Sequence, residues 1–82
     1  MDINEIKKKI SDFLIENLPN HGLELNNETD LLNEWFLDSF GVIDTILFLE
    51  ETFDLTIKRS AINADNFSNI NTISAYVLEQ LK

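Results

Sequence analysis

Apolar side chains recur every three or four residues in the first stretch of the chain, which is the spacing of one buried face of an α-helix. Asp2, with Glu5 three residues later, has the arrangement of a capping box that opens this helix. Pro19 and Gly22 are expected to end it. The apolar face of this predicted helix consists of Ile3, Ile6, Ile10, Phe13, Leu14 and Leu18.

The same spacing predicts a second main helix from about Ser39 to Phe53, capped by either Asp38 or Ser39. Asn71 is expected to cap a last main helix. The stripe of the second helix consists of Val42, Ile43, Ile46, Leu47, Leu49, Glu50 and Phe53. The inward-facing residues predicted for the last helix are Ile73, Tyr76, Val77 and Leu81.

The segments between these helices are less regular. Residues 19–37 keep no helical period, but they contain enough leucine and aromatic residues to be tethered to the core, and either Thr29 or Asp30 can cap one short helical turn there. A loop of this length is uncommon in a small domain and is often functional. Residues 55–57 are interpreted as an extended link, and residues 60–65 as a short third helix. The pattern therefore predicts an all-α fold, a small four-helix bundle with three main helices, one short helix and a long loop after the first helix.

Composition narrows the class of protein. The chain has 82 residues, of which 44% are hydrophobic, so residues 1–82 are expected to form a single domain with one core. It contains no cysteine, which excludes a disulfide framework. The net charge of −9 opposes binding to nucleic acid and to anionic membranes and favours basic protein surfaces. No signal peptide or membrane-length apolar run is present, so a cytoplasmic monomer is the expectation.

Ser39 is the candidate functional residue. It lies at the predicted start of the second helix, where unpaired backbone N–H groups and the helix dipole favour a phosphate. No His, Cys or Lys lies near it in sequence to activate it as a nucleophile, so it is interpreted as a serine that other enzymes modify, the alternative being an ordinary helix cap. His21, the only histidine, lies in a Pro-Asn-His-Gly turn and is interpreted as a surface loop residue. No clustered metal ligands and no EF-hand spacing are present, and no catalytic acid–base set is found.

Asp38-Ser39-Phe40 resembles the Asp-Ser-Leu motif of acyl carrier proteins. The run from Leu49 to Ile57, Leu-Glu-Glu-Thr-Phe-Asp-Leu-Thr-Ile, is similar to the Leu-Glu-Glu-x-Phe-x-x-x-Ile run of that family. The closing helix pattern of the family is matched by Asp65, Phe67, Ile70, Thr72, Ile73, Tyr76 and Val77, so the resemblance covers nearly the whole chain.

The resemblance implies a non-catalytic carrier. A phosphopantetheinyl transferase would attach 4′-phosphopantetheine from coenzyme A to Ser39, and Asp38 would help to position the magnesium ion of that transferase. The thiol of the arm would hold an acyl or aminoacyl group as a thioester, loaded by a ligase and passed to biosynthetic enzymes, as in fatty acid, polyketide or nonribosomal peptide biosynthesis. Basic docking surfaces of those enzymes would meet Asp44, Glu50 and Glu51 on the second helix, with Phe40 as an apolar contact. Since Glu50 lies near the apolar stripe, a structural role competes with docking there.

Some positions depart from the pattern of fatty-acid carriers. Phe40 replaces the usual Leu, Gly41 stands where an acid is frequent, Thr45 stands where a Leu is frequent, and Lys58-Arg59 replaces the usual Pro and acids. The run from Leu37 to Gly41 is closer to D-alanyl carrier proteins and to stand-alone carriers of specialised pathways. Two alternatives therefore stay open, namely a D-alanyl, other aminoacyl or peptidyl carrier, and a helical interaction module that is never loaded.

The aromatic residues are expected to fill the core rather than to form a cofactor site. A core filled by Phe13, Phe48, Phe53 and Phe67 would leave little room for a long acyl chain. The sequence therefore predicts a carrier that does not hold long fatty chains deep in its interior.

Overall fold

The fold is an all-α bundle, seen in a computed structural model that describes residues 2–17, 25–35 and 39–82. The described part contains no strand, which confirms the predicted fold class of three main helices, one short helix and a long connection after the first helix. The α-helices are α1 (Ile3–Asn17), α2 (Ser39–Phe53), α3 (Ala64–Phe67) and α4 (Ile70–Leu81). A π-helical turn (Leu31–Trp35) precedes α2, and a 3₁₀ turn (Arg59–Ala61) precedes α3.

The start of α1 confirms the predicted cap, because the backbone N–H of Glu5 donates to Oδ1 of Asp2 at 2.9 Å. Three residues of its inward face, spaced by four along the chain, are fully buried, namely Ile6, Ile10 and Leu14. Ile3 and Phe13 are half-buried. The helix runs through Asn17, and the residues expected to end it, Pro19 and Gly22, lie outside the described residues.

The core lies where α1 packs on α4, with α2 against both helices. Its buried apolar residues are Ile6, Ile10, Leu14, Leu31, Trp35, Leu49, Phe53, Ile57, Phe67, Ile70, Ile73 and Val77. Each such side chain contributes roughly 1.5–3 kcal/mol relative to exposure. These contributions explain how a chain of 82 residues without cysteine maintains a packed fold.

The second half of the first connection is tethered to the α3–α4 junction by backbone hydrogen bonds. The N–H of Leu31 donates to the carbonyl of Ser68 at 2.8 Å, and the N–H of Asn71 donates to the carbonyl of Asn27 at 3.1 Å. Leu31 and Trp35 are buried, so the predicted tether is correct for this half. Leu23, Phe36 and Leu37, predicted to share in it, lie outside the described residues.

The short helical turn in this connection is capped by Asp30 rather than by Thr29. Oδ1 of Asp30 accepts the backbone N–H of Asn33 at 3.3 Å, and Oδ2 accepts its side-chain amide at 2.6 Å. The hydroxyl of Thr29 instead accepts the backbone N–H of Asn26 at 2.9 Å. Thr29 therefore closes the preceding turn, and Asp30 opens the helical one.

The cap predicted for the last helix at Asn71 is wrong. The side chain of Asn69 accepts the N–H of Thr72 at 2.8 Å, while the hydroxyl of Thr72 accepts the N–H of Asn69 at 3.2 Å. This reciprocal capping box begins α4 at Ile70, which is fully buried. Leu81, predicted to face inwards, is 40% exposed because it lies at the last residue of the helix.

The predicted short helix over residues 60–65 is divided in two. The 3₁₀ turn ends before Ile62, whose backbone lies outside the helical region (φ −85°, ψ 83°). Asn63 then caps α3 by accepting the N–H of Asn66 at 3.0 Å. The side chain of Phe67 from α3 is 1% exposed, so this short helix supplies an aromatic anchor to the core.

Candidate functional site

Ser39 is the first residue of α2, as the sequence predicted. The first four N–H groups of a helix have no partner within the helix itself, and the first turn of α2 contains no acidic residue. This end of a helix of 15 residues is therefore suited to an anion. Asp38 and the side chains of Ser39 and Phe40 lie outside the part of the chain that the structure describes.

Directly below this end, α2 packs closely on the core. Gly41 and Thr45 are both buried, and the hydroxyl of Thr45 donates to the carbonyl of Gly41 at 2.8 Å. Because this hydroxyl has its hydrogen bond within the helix, its burial carries little free-energy cost. The departure from leucine at Thr45 is thus accommodated by the helix backbone itself.

The three acids predicted to meet partner enzymes have different surroundings. Asp44 and Glu51 are exposed on α2. Glu50 is half-buried, and its Oε2 accepts the backbone N–H of Ile57 at 2.9 Å. At 1.5 Å of rise per residue, Glu51 lies about 18 Å along the helix from Ser39. The exposed acids therefore extend from the Ser39 end to the far end of α2, and Glu50 stabilises the link that follows the helix.

The apolar stripe predicted for α2 includes two residues that do not face the core. Ile43 is 50% exposed and Leu47 is 51% exposed. Among the residues of α2 whose burial the structure describes, the buried ones are spaced by four and are Gly41, Thr45, Leu49 and Phe53. The core occupies a narrower face of α2 than its apolar residues suggest, so Ile43 and Leu47 form an apolar strip on the surface.

Sequence reasoning did not identify a groove between α1 and α2. The rings of Phe13 and Phe48 stack there with centroids 4.2 Å apart and planes 17° apart. One part of the groove has a volume of about 430 Å³ and is lined by both rings together with Asp12 and Glu16 among others. A neighbouring part of about 370 Å³ is lined by the same two rings together with Asp44, Leu47 and Glu51 among others. We call the two together the α1–α2 groove.

Both rings of this pair are half-buried, although the sequence assigned them to the core. The apolar excess on α2 was the sequence signal for this groove, since a single buried face does not require so many apolar residues.

No cluster of three or more potential metal ligands occurs within the described residues. None of the helices in that same part of the chain is long and apolar enough to span a membrane. His21 lies outside the described ranges.

Similarity to characterised proteins identifies the family. The D-alanyl carrier protein of Lactobacillus delbrueckii subsp. bulgaricus is 31% identical over 78 residues, which are 95% of this chain and 91% of that protein. The chain belongs to the acyl carrier protein family. The family is meant here in the broad sense that includes D-alanyl carrier proteins. This membership confirms the resemblance found in the sequence.

Two further relatives are consistent with membership in this family. The D-alanyl carrier protein of Bacillus velezensis is 26% identical over 69 residues, covering 84% of this chain and 88% of that protein. The acyl carrier protein of Amoebophilus asiaticus is 25% identical over 79 residues, covering 96% of each. No protein-family model matches the chain. The relatives therefore include both named kinds of carrier.

Proposed function

We propose that the protein carries an acyl or aminoacyl group as a thioester on a 4′-phosphopantetheine arm attached to Ser39. The observation that carries the proposal is the position of Ser39 as the first residue of α2 in a chain of the carrier family. The bound arm would supply the thiol that forms the thioester, which is chemistry that a chain without cysteine does not provide.

A phosphodiester fits this position on physical grounds. Its single negative charge would lie at the positive end of the helix dipole, and no carboxylate of the first turn repels it. In the proposed loading step, the oxygen of Ser39 would bond to the pantetheine phosphate of coenzyme A as the pyrophosphate bond of coenzyme A breaks. The hydroxyl proton would pass to a base of the transferase, and adenosine 3′,5′-bisphosphate would depart. Asp38 is proposed to help orient the magnesium ion of the transferase during that step.

The proposed partners are a phosphopantetheinyl transferase, a loading ligase and downstream biosynthetic enzymes, all in the cytoplasm. Asp44, Glu51 and Phe40 are proposed to contact basic and apolar residues of these enzymes. Exposed charges of this kind raise association rates and select partners more than they increase affinity. Glu50 is proposed as a residue of the same surface whose carboxylate also stabilises the fold.

The test of the attachment site is intact-protein mass spectrometry after incubation with coenzyme A, magnesium and a broad-specificity phosphopantetheinyl transferase. We expect one phosphopantetheine mass gain on the protein and none on Ser39→Ala, with a loss of about 1 kcal/mol or less in the free energy of unfolding. A loaded Ser39→Ala variant would refute the assignment of this serine. Absence of loading with several transferases would favour an interaction module that is never loaded.

A D-alanyl or other small aminoacyl cargo is the second candidate, favoured by the relatives that are named D-alanyl carrier proteins. Incubation of the loaded protein with a D-alanine–carrier ligase, ATP and D-alanine tests it by the corresponding further mass gain. Incubation with an acyl-loading ligase and a fatty acid in place of D-alanine is the matched comparison. Gain with the fatty acid alone would assign the protein to acyl cargo instead.

A further inference from the structure

The stacked pair in the α1–α2 groove is an aromatic ridge at the surface. Phe13 and Phe48 come from different helices, are half-buried, and line both parts of the groove. Leu47 adds a half-exposed apolar side chain beside Phe48. The groove therefore offers apolar and aromatic surface that the core of this chain does not cover.

Carboxylates flank this ridge on both helices. Asp12 and Glu16 come from α1, and Asp44 and Glu51 come from α2. Asp12 pairs with Lys8 at 2.9 Å in an exposed ion pair, whereas the other three carboxylates have no ion-pair partner among the described residues. Among the described residues that line the groove, Lys9 is the single basic one. The groove thus combines an aromatic ridge with an excess of negative charge.

We propose that the α1–α2 groove is a docking site for an arginine-bearing apolar segment of a partner protein. A guanidinium group is planar and weakly hydrated, stacks on aromatic rings, and donates two parallel hydrogen bonds to a carboxylate. Two arginines of the segment would meet Glu16 on α1 and Glu51 on α2, which line the two parts of the groove. Apolar side chains of the same segment would cover Leu47.

This surface adds α1 to the docking surface on α2. It rests on the proposed function in that the partner is an enzyme that loads or unloads the carrier. An enzyme bound in the groove would contact the face of α2 that carries Phe48, and the Ser39 end of the helix would stay accessible for the arm. A second copy of this chain is a poor occupant, because each copy has a net charge of −9 and its own groove is acidic.

The experiment is an NMR titration of the ¹⁵N-labelled full chain with a short helical peptide that carries arginines one turn apart among leucines. Its counterparts with lysine and with citrulline at the same positions separate guanidinium stacking from charge and from apolar contact. The variants are the pair Glu16→Gln with Glu51→Gln, and Glu28→Gln as the control. Glu28 is an exposed acid in the first connection, so its substitution changes the charge without touching the groove.

We expect the arginine peptide to shift the amides of residues 9–17 and 44–52 and to bind more tightly than the lysine peptide. Glu16→Gln with Glu51→Gln should weaken its binding about five-fold, while Glu28→Gln should leave it unchanged. Equal weakening by Glu28→Gln, shifts spread over all acidic surfaces, or peptide-independent self-association would each overturn the proposal.

Loading of Ser39 by the transferase is measured on the same samples, which separates the two proposals. Groove binding without loading would overturn the carrier function and leave a docking site for arginine-bearing proteins. Loading without arginine-selective binding in the groove would support the carrier function and overturn this inference. Circular dichroism of each variant ensures that lost binding reflects the groove rather than unfolding.

Discussion

Two neighbouring glutamates show how a single residue obtains its role. Glu50 and Glu51 are adjacent in sequence, yet the carboxylate of Glu51 is exposed while that of Glu50 accepts the N–H of Ile57 at 2.9 Å. Ile57 is 7% exposed, so without this carboxylate its N–H would be left without that partner in a largely buried position. Residues 55–58 form neither helix nor strand, and this bond fixes them against the end of α2.

We therefore expect Glu50→Ala to lower the free energy of unfolding by about 1–2 kcal/mol, since it removes the acceptor of a buried N–H. Glu50→Gln keeps an oxygen acceptor, so its free energy of unfolding should fall by less. Glu51→Ala, at an exposed site, should stay within about 0.5 kcal/mol of the parent chain. Urea denaturation of the three variants measures this, and equal stability of Glu50→Ala and Glu51→Ala would contradict the role given to Glu50.

Ser74 is a second residue whose surroundings determine its contribution to the stability of the fold. It is fully buried in α4, and its Oγ has no hydrogen-bond partner among the described residues. Ser74→Ala removes this unpaired hydroxyl at almost constant volume and should raise the free energy of unfolding by about 1 kcal/mol. Thermal unfolding measures the gain. Ser68→Ala is the comparison and should not stabilise the protein, because the hydroxyl of Ser68 lies 3.4 Å from that of Thr72. A destabilised Ser74→Ala would show that the hydroxyl is paired in solution.

At the scale of elements, α2 ends in an unusual way. Asp54 has a positive φ of 52°, in the left-handed region that favours glycine, and the N–H of Leu55 donates to the carbonyl of Glu50 at 3.2 Å. This is the bonding of a Schellman motif, in which the residue after the helix adopts the left-handed conformation. The exposed carboxylate of Asp54 also lies at the negative end of the helix dipole.

Asp54→Gly should therefore raise the free energy of unfolding by about 1 kcal/mol, through relief of the left-handed conformation and loss of the unfavourable charge. Asp54→Asn tolerates the same backbone and removes only the charge, so it should gain a few tenths of a kcal/mol. Chemical denaturation separates the two contributions. If Asp54→Gly were less stable than the parent chain, the side chain of Asp54 would have to make a stabilising contact.

At the scale of the whole molecule, the aromatic residues divide between two places. Phe53 and Phe67 are buried in the core, as predicted. Phe13 and Phe48 are instead half-buried in the α1–α2 groove, so two of the four residues expected to fill the interior lie at its edge. The ring of Phe48 also meets Phe53 edge-on at 6.4 Å, which joins the groove to the core. The interior itself is packed with side chains that are fully buried.

We expect this packing to keep a long acyl chain out of the interior. In NMR spectra of the protein loaded with acetyl and with octanoyl groups, the amides of core residues such as Ile10, Leu49 and Val77 should differ little between the two forms, because insertion of extra methylenes into a packed core is unfavourable. Apo protein provides the reference spectrum. Large shifts throughout the bundle interior in the octanoyl form would contradict the prediction.

The sequence by itself determined the local features of this protein. The helical periods, the Asp2 cap, the start of α2 at Ser39 and the family resemblance all follow from residues close together along the chain. Such features depend on backbone geometry and on hydrogen bonds that span three or four residues, so a linear pattern contains them. The error at Asn71 was of the same local kind, because Asn69 with Thr72 was an equally visible cap.

Only the tertiary structure decided which surfaces are covered. Ile43 and Leu47 fit the period of α2 as well as Leu49 does, but α1 and α4 cover the face of Leu49 and leave the other two half exposed. The bond from Ile57 to Glu50 and the stack of Phe13 on Phe48 also join residues that helical periodicity does not relate. Periodicity gives the direction of a side chain around its own helix, whereas burial depends on the neighbours that pack against that direction.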